Sequence, residues 1–195
     1  MFDRNKFYFE SLVESAETKN KIIDNCKEDV FKAIDMIIES VKNGGKIMFC
    51  GNGGSAADCQ HLATEFVIRL SHDISRPAIG SIALTTDSSM LTAGGNDIGF
   101  ENIFARQVEG LGRADDILIC ISTSGNSKNV LNAIGKAKEK KIKTISLSGG
   151  TGGKMNGICD VNIIIPSDNT QRIQEGHITL GHIICESVER EIYGN

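Results

Sequence analysis

The sequence predicts an α/β protein built on a parallel β-sheet, and three observations carry that prediction. From residue 46 onward strand-like and helix-like segments alternate, the pattern of successive βα units. Ile117 to Ile121 is almost continuously apolar, as expected of a strand covered on both faces. The chain also carries 21 glycines but only 2 prolines, where average usage is about 7% and 5%. Disordered linkers take both residues together, so glycine without proline points to tight turns inside an ordered fold. At 195 residues the chain suits a single domain that can bury a core without disulfide or metal staples.

The elements follow in order. Phe7, Leu12, Ile22 and Ile23, then Val30, Ile34, Ile37, Ile38 and Val41 recur at helical spacing, giving two helices over 3–42. Gly44-Gly45 closes the second one. Lys46 to Cys50 is a short strand, followed by a helix from Ser55 to Leu70. Ile79 to Leu84 is a strand, and Ser88 to Ala93 and Phe100 to Leu111 are helical. After the 117–121 strand, Asn126 to Lys140 forms a lysine-rich amphipathic helix. Thr144 to Leu147 and Val161 to Ile165 are further strands, and the last helix runs from Thr170 to Ile192. No linker, repeat or low-complexity stretch interrupts the series, so the reading is one domain over 1–195, with a helical arm at 1–43 and an α/β core at 44–195.

Bulk properties exclude several classes. The net charge is −4, against a general nucleic-acid binder, which needs a basic face. No apolar run approaches the ~18 residues of a membrane span, and the mixed-charge N-terminus has no apolar signal core. The six cysteines, at 26, 50, 59, 120, 159 and 185, form no C-x-x-C pair and read as free buried thiols of a cytoplasmic protein.

Two loops stand out. Cys50-Gly-Asn-Gly-Gly-Ser-Ala-Ala57 leaves a strand and opens a helix. Gly51, Gly53 and Ala56 match the dinucleotide fingerprint G-x-G-x-x-G/A. Its acidic partner should end a second strand about 20 residues on, but Asp73 follows a helical segment with hardly room for a strand. A Walker A loop is absent. Two readings remain: backbone N–H groups aimed at an anion or polar ligand, or a tight turn with Ser55 as N-cap. The second loop, Ile121-Ser-Thr-Ser-Gly-Asn-Ser127, clusters the hydroxyls of Ser122, Thr123, Ser124 and Ser127. Capping by Asn126 or Ser127 accounts for only one of them. Two such loops on one sheet edge favour a phosphorylated small molecule.

The histidines supply candidate chemistry. His61 and Glu65 are spaced i, i+4 and share a helix face just after the first loop, a metal or acid–base pair. On the last helix Ile173, His177, Leu180, Ile184 and Val188 form one apolar stripe at ~100° per residue, so His177 reads as packed. Gln174 and His182 fall on an adjacent stripe, although spacing alone pairs His182 better with Glu175. Positions 174 and 182 lie about 12 Å apart along a straight helix, which leaves a shared ion open. His72 reads as an exposed loop residue.

Taken together, Gly51-Asn-Gly-Gly-Ser55 with Asp58, His61 and Glu65, Gly95-Asn-Asp97, Ile121-Ser-Thr-Ser-Gly-Asn-Ser127, and Arg172-Ile-Gln-Glu175 with His182 resemble the signature of the phosphoheptose isomerases of the sugar-isomerase (SIS) superfamily. The resemblance spans nearly the whole chain. It implies a doubly wound, flavodoxin-like SIS domain with two extra N-terminal helices and a long C-terminal helix. It implies a cytoplasmic enzyme that converts sedoheptulose 7-phosphate to D-glycero-D-manno-heptose 7-phosphate, for nucleotide-activated heptose of lipopolysaccharide or capsule. It further implies a homotetramer with sites near subunit interfaces, no nucleotide cofactor, no nucleic-acid or membrane partner, and one zinc ion per subunit held by His61, Glu65, Gln174 and His182. The phosphate would sit on Ser55 and the loop of Ser122, Thr123, Ser124 and Ser127, while Asn52, Gly53, Gly54, Glu65, Asn96, Asp97 and Gln174 would bind the sugar. Many relatives carry an acidic residue just before Arg-Ile-Gln-Glu, where this chain has Gln171, which is therefore not a site candidate.

Ketose–aldose isomerisation through an enediol needs a base at carbon and an acid at the carbonyl oxygen. Glu65 as base and His182 as acid supply them in this reading. The competing function, a phosphosugar-sensing module without catalysis, would keep the loops but could lose this pair. Thirteen of the glycines fall in three clusters, 44–54, 94–99 and 149–157. The first two contain or adjoin expected site residues, and the third carries no chemical role in the sequence.

Overall fold

The computed structural model describes residues 1–194. Two helices open the chain, α1 (Arg4–Asn25) and α2 (Lys27–Lys42). Then follow β1 (Ile47–Gly51), α3 (Gly54–Val67), β2 (Ser81–Ala83), α4 (Ser88–Asp97), α5 (Ile103–Leu111) and β3 (Ile117–Ile121). The series ends with α6 (Lys128–Glu139), β4 (Lys143–Gly149), β5 (Val161–Ile165) and α7 (Thr170–Tyr193). The five strands form one parallel sheet in the order β2-β1-β3-β4-β5, the doubly wound arrangement expected.

Strand periodicity divides the core into two layers. Ile47, Phe49, Ile117, Ile119, Ile121, Ile145 and Leu147 face α2, α3 and α7. Met48, Cys50, Leu118 and Cys120 face α5 and α6. Burial on both sides is why β1 and β3 are apolar throughout. The N-terminal helices differ from each other. α2 is built into the first layer through Ala33, Ile34 and Ile37, whereas α1 buries only Thr18 and Ile22 and leaves Phe7, Tyr8, Phe9 and Leu12 more than half exposed.

Several boundaries differ from the sequence reading. β2 has three residues rather than six, because it is an edge strand that pairs only with β1. α3 stops at Val67, not Leu70, because Arg76 takes the carbonyls of Glu65 and Phe66. α4 continues through Gly94-Gly95 to Asp97, and Phe100–Asn102 is a 3-10 turn rather than the start of α5. All six cysteines are free and buried. Among the described residues, no helix is long and apolar enough to cross a membrane.

Candidate active site at the carboxyl edge of the sheet

The chain reverses its winding between β1 and β3. α3 leaves β1 on one face and α6 leaves β3 on the other, so the loops after these strands flank a crevice at the carboxyl edge. Open α/β sheets bind ligands at such a switch point. Gly51 is required there: a Cβ would lie 2.9 Å from the Ile121 carbonyl oxygen. Gly53 holds the N-cap position of α3 with φ 56°, so Ser55 is buried in the first turn and is not the cap. At α6 Ser127 is the N-cap, but its hydroxyl lies 2.9 Å from Ser122 Oγ and does not cap. Ser124 Oγ accepts from the Asn126 N–H at 3.2 Å.

The contrast with other helix starts is informative. Asp3, Asp87 and Asn169 accept first-turn N–H groups of α1, α4 and α7 through their side chains. α3 and α6 have no side-chain cap. α2 and α5 also lack one, but each follows directly on a preceding helical turn. The two uncapped starts that follow a strand therefore both open on the crevice, leaving N–H groups free for an anion. The loops are tied together by a reciprocal amide pair: Asn52 Nδ2 donates to Asn129 Oδ1 at 2.9 Å, and Asn129 Nδ2 donates back at 2.8 Å. Asn129, buried on the first turn of α6, was absent from the sequence-derived site. No local pattern signals it.

The second group of residues comes from α3 and α7. Gly181 packs against Leu62, where a Cβ would lie 2.7 Å from Leu62 Cδ2. This close approach brings the next residue, His182, to His61. Their Nε2 atoms stand 2.7 Å apart, with the rings edge to face. Glu65 Oε1 lies 3.5 Å from His61 Nε2. Asp58, one turn before His61, has a buried Oδ2 without a hydrogen-bond partner. Burial raises its pKa, while His61 and His182 pull the other way. Asp58 thus belongs to this group although the sequence reading gave it no role. Its i−3 spacing from His61 was the available signal.

A buried ion pair fixes the helices. Arg76 donates to the Glu65 and Phe66 carbonyls, both at 2.8 Å, and its Nη2 lies 2.6 Å from Glu189 on α7. Glu189 also accepts the N–H groups of Leu70 and Ser71. Burial alone would raise its pKa, but these N–H groups and Arg76 outweigh it and hold the carboxyl below its ordinary value.

The remaining candidates are distributed as follows. Gln174 lies against the first loop, where a Cβ on Gly54 would overlap its amide nitrogen. Two turns of α3 separate Gly54 from His61. Asn96 and Asp97 hydrogen bond to each other at 2.7 Å on the exposed end of α4, and no side-chain hydrogen bond ties them to either loop. Glu175 bonds to Ser15 and Arg172, not to His182. His177 is fully buried and shares a 3.1 Å hydrogen bond with the Ser148 carbonyl, and burial lowers its pKa to about 4. Asp73 is exposed in a turn beside Arg190, so the dinucleotide pattern lacks its strand-borne carboxylate.

The donor set tests the zinc expectation. Two imidazoles facing each other with a carboxylate beside one are the nitrogen and oxygen donors zinc takes. Two nitrogens on tetrahedral zinc sit about 3.3 Å apart for bonds near 2.0–2.1 Å, so the rings would need to part by a fraction of an ångström. Among the described residues, no group of three or more His, Cys, Asp or Glu side chains already forms a metal cage. The residues fit the ion in donor chemistry: His61 and His182 face each other and Glu65 lies beside His61.

Comparison with known proteins adds an independent finding. The SIS domain family matches residues 8–149. Phosphoheptose isomerase of Sulfurimonas denitrificans is 49% identical over 194 residues, covering 97% of each chain. The solved phosphoheptose isomerase of Neisseria gonorrhoeae superposes with a TM-score of 0.89 at 40% identity, covering 95% of this chain and 98% of that one. The phosphoheptose isomerase of Francisella tularensis gives 0.90 at 36%, covering 97% and 100%.

Proposed function

The chain belongs to the SIS-domain family and, within it, to the phosphoheptose isomerases, and on that premise we propose that it interconverts sedoheptulose 7-phosphate and D-glycero-D-manno-heptose 7-phosphate. One observation carries the reading. α3 opens on the uncapped loop at Gly54 and bears His61 and Glu65 farther along the same face toward α7. Seven residues of helix rise about 10 Å. An extended seven-carbon chain with bonds near 1.5 Å spans about 7–8 Å, and its phosphate adds a further ~2–3 Å. A phosphate at the loops therefore leaves C1 and C2 near the imidazole–carboxylate group.

The chemistry follows from the groups present. Ser55, Ser122, Thr123, Ser124 and Ser127, with the free N–H groups of α3 and α6, hold the phosphate. Asn52, Gly53, Gly54, Asn96, Asp97 and Gln174 contact the sugar. Anchoring the distal phosphate fixes the reacting carbons, so binding energy far from the reaction lowers its barrier. Glu65 takes the proton from C1 while His182 gives a proton to the C2 carbonyl oxygen, forming the enediol; Glu65 then returns its proton to C2 as His182 takes the proton from the C1 hydroxyl, leaving the aldose carbonyl. His61, Glu65, His182 and Gln174 would hold one zinc ion per subunit. The chemistry such an ion supplies when bound is polarisation of the carbonyl and orientation of the hydroxyls.

We further infer a homotetramer working in the cytoplasm, its product feeding nucleotide-activated heptose for lipopolysaccharide or capsule. The apolar residues exposed on α1 and the absence of any buried residue on α4 support packing against further copies. Incubation with sedoheptulose 7-phosphate, followed by NMR, should reveal a new aldose. Binding without conversion would indicate a sensing module instead, and neither would sink both readings. Light scattering and metal analysis of the purified protein test the tetramer and the zinc.

A further inference from the structure

The third glycine cluster lies on neither the crevice nor the α3–α7 pair, yet it is built into the back of the second loop. Gly149 ends β4, and Gly150, Gly152, Gly153 and Gly157 all have positive φ. The Gly149 N–H donates to the Thr123 carbonyl at 3.0 Å, and the Met155 N–H to the Gly125 carbonyl at 3.1 Å. The Lys154 N–H donates to Asn126 Oδ1 at 3.1 Å, and Asn126 Nδ2 in turn donates to the Ser124 carbonyl at 2.8 Å. The two loops meet backbone against backbone. A Cβ on Gly125 would overlap the Gly152 carbonyl, and one on Gly153 would overlap the Ser124 carbonyl.

The segment is itself fixed at both ends. Met155 is fully buried in the layer that holds Cys120 and Val130. Gly150 donates to the Ser167 carbonyl at 2.9 Å, in the connection that leads into α7. The second loop thus has its backbone set from behind by a segment anchored in the core, while none of its hydroxyls caps α6.

We propose that the Gly149–Met155 segment is a positioning element for substrate binding: it holds the Ser122–Ser127 backbone in the shape that receives the phosphomonoester, with Gly153 as its decisive residue. This rests on the reading of that loop as the phosphate seat. The segment does not touch the reacting carbons, so disturbing it weakens phosphate binding and spares the proton transfer.

Two glycines make the test. Alanine at 153 or at 157 takes on a strained left-handed conformation, with φ 56° and 77°. Only at 153 does the new methyl meet a neighbour, because nothing lies within 4 Å of a Cβ on Gly157. For Gly153→Ala the KM for sedoheptulose 7-phosphate and the inhibition constant of inorganic phosphate should rise together by about 10-fold, as expected for weakened hydrogen bonds to a charged group. Its kcat should stay within about twofold, and amides 122–128 should exchange faster with deuterium. Gly157→Ala should leave KM, the phosphate inhibition constant, kcat and amide exchange at wild-type values. Asn126→Ala, which cuts the tie without inserting an atom, should give the same pattern at smaller amplitude if Gly153→Ala does not fold.

Unchanged exchange at 122–128 in Gly153→Ala, or equal changes in Gly157→Ala, would overturn the proposal. Faster exchange with unchanged KM and phosphate inhibition would instead remove the phosphate from that loop. If the wild-type protein does not isomerise the sugar phosphate, the functional reading fails, and amide exchange with and without inorganic phosphate still decides the positioning.

Discussion

At the carboxyl edge of the sheet the loops after β1 and β3 offer backbone N–H groups and hydroxyls, set by glycines and by an amide pair between Asn52 and Asn129. The α3–α7 pair offers imidazole and carboxylate side chains instead, brought together from positions 121 residues apart. The first region is made from local chain conformation and is suited to hold an anion that does not change during reaction. The second is made from tertiary packing and is suited to move protons. If this division is right, damage to the loops should appear in KM and damage to the helix pair in kcat.

The largest effect should come from the helix pair. Glu65→Gln keeps the shape of the side chain and removes the proposed base, so kcat should fall by about 10²–10⁴-fold, the usual contribution of a general acid or base. His182→Gln should fall comparably, with KM changed little in either. NMR of aldose formation under saturating substrate gives the measurement. A kcat within a few fold of wild type in both variants would dissolve the distinction between the two regions.

Acid should have the next largest effect, through a buried histidine of α7. Burial holds His177 on α7 neutral, outweighing its hydrogen bond with the Ser148 carbonyl at the root of the third glycine segment. Its pKa is lowered to about 4 by burial, against an unfolded value near 6.5. The unfolded chain therefore takes up a proton before the folded one does. Stability is fully present above about pH 6.5 and is lost as pH falls toward 4, by on the order of 3 kcal/mol for this group. Denaturant unfolding of wild type and His177→Gln at pH 7 and pH 4.5 should show a smaller acid loss in the variant. Equal losses would remove His177 from this role.

The loops come third. Replacing Ser122 and Ser124 together by alanine removes two hydroxyls proposed to face the phosphate. Hydrogen bonds to a charged group contribute about 1.5–3 kcal/mol, so KM should rise by about 10-fold or more while kcat changes little. A parallel fall in kcat would mean that the loop also shapes the reacting end.

How much of this could be seen in the sequence follows the same division. β3 was legible because both its faces are buried and no polar residue interrupts it. The apolar stripe of α7 correctly placed His177 in the core. The two loops were legible because glycine and hydroxyl residues cluster within a few positions. The meeting of His61 with His182 was not, because helical spacing locates a side chain on its own helix but not the neighbour that helix will find. By spacing His182 suited Glu175, yet Glu175 turns toward α1, where Ser15 lies 2.6 Å away. Gly181, the residue that admits Leu62, could be read only as a helix-weakening glycine. The third glycine cluster was visible as composition, but glycine shows that something approaches closely without saying what.

The smallest predicted effect bears on the tie between the loops. Asn52 was expected to contact the sugar, but both ends of its amide are engaged with Asn129. An amide has two N–H groups and an oxygen with two lone pairs, so one donor and one acceptor site remain for a ligand once Asn129 has fixed its orientation. Asn129→Ala should release that orientation without removing any group that faces the substrate. The loss of a neutral hydrogen-bond pair in a partly solvated crevice is on the order of 1 kcal/mol, hence a KM increase of several fold with kcat preserved. Asn129→Asp provides the sharper comparison. It keeps the acceptor for Asn52 Nδ2 and loses the donor to Asn52 Oδ1, while adding a negative charge beside the proposed phosphate seat. Its KM should exceed that of the alanine variant, and the excess should shrink as salt is added. If the two variants bind substrate equally well at low ionic strength, Asn129 does not lie close to the phosphate, and the link between the two loops is one of packing alone.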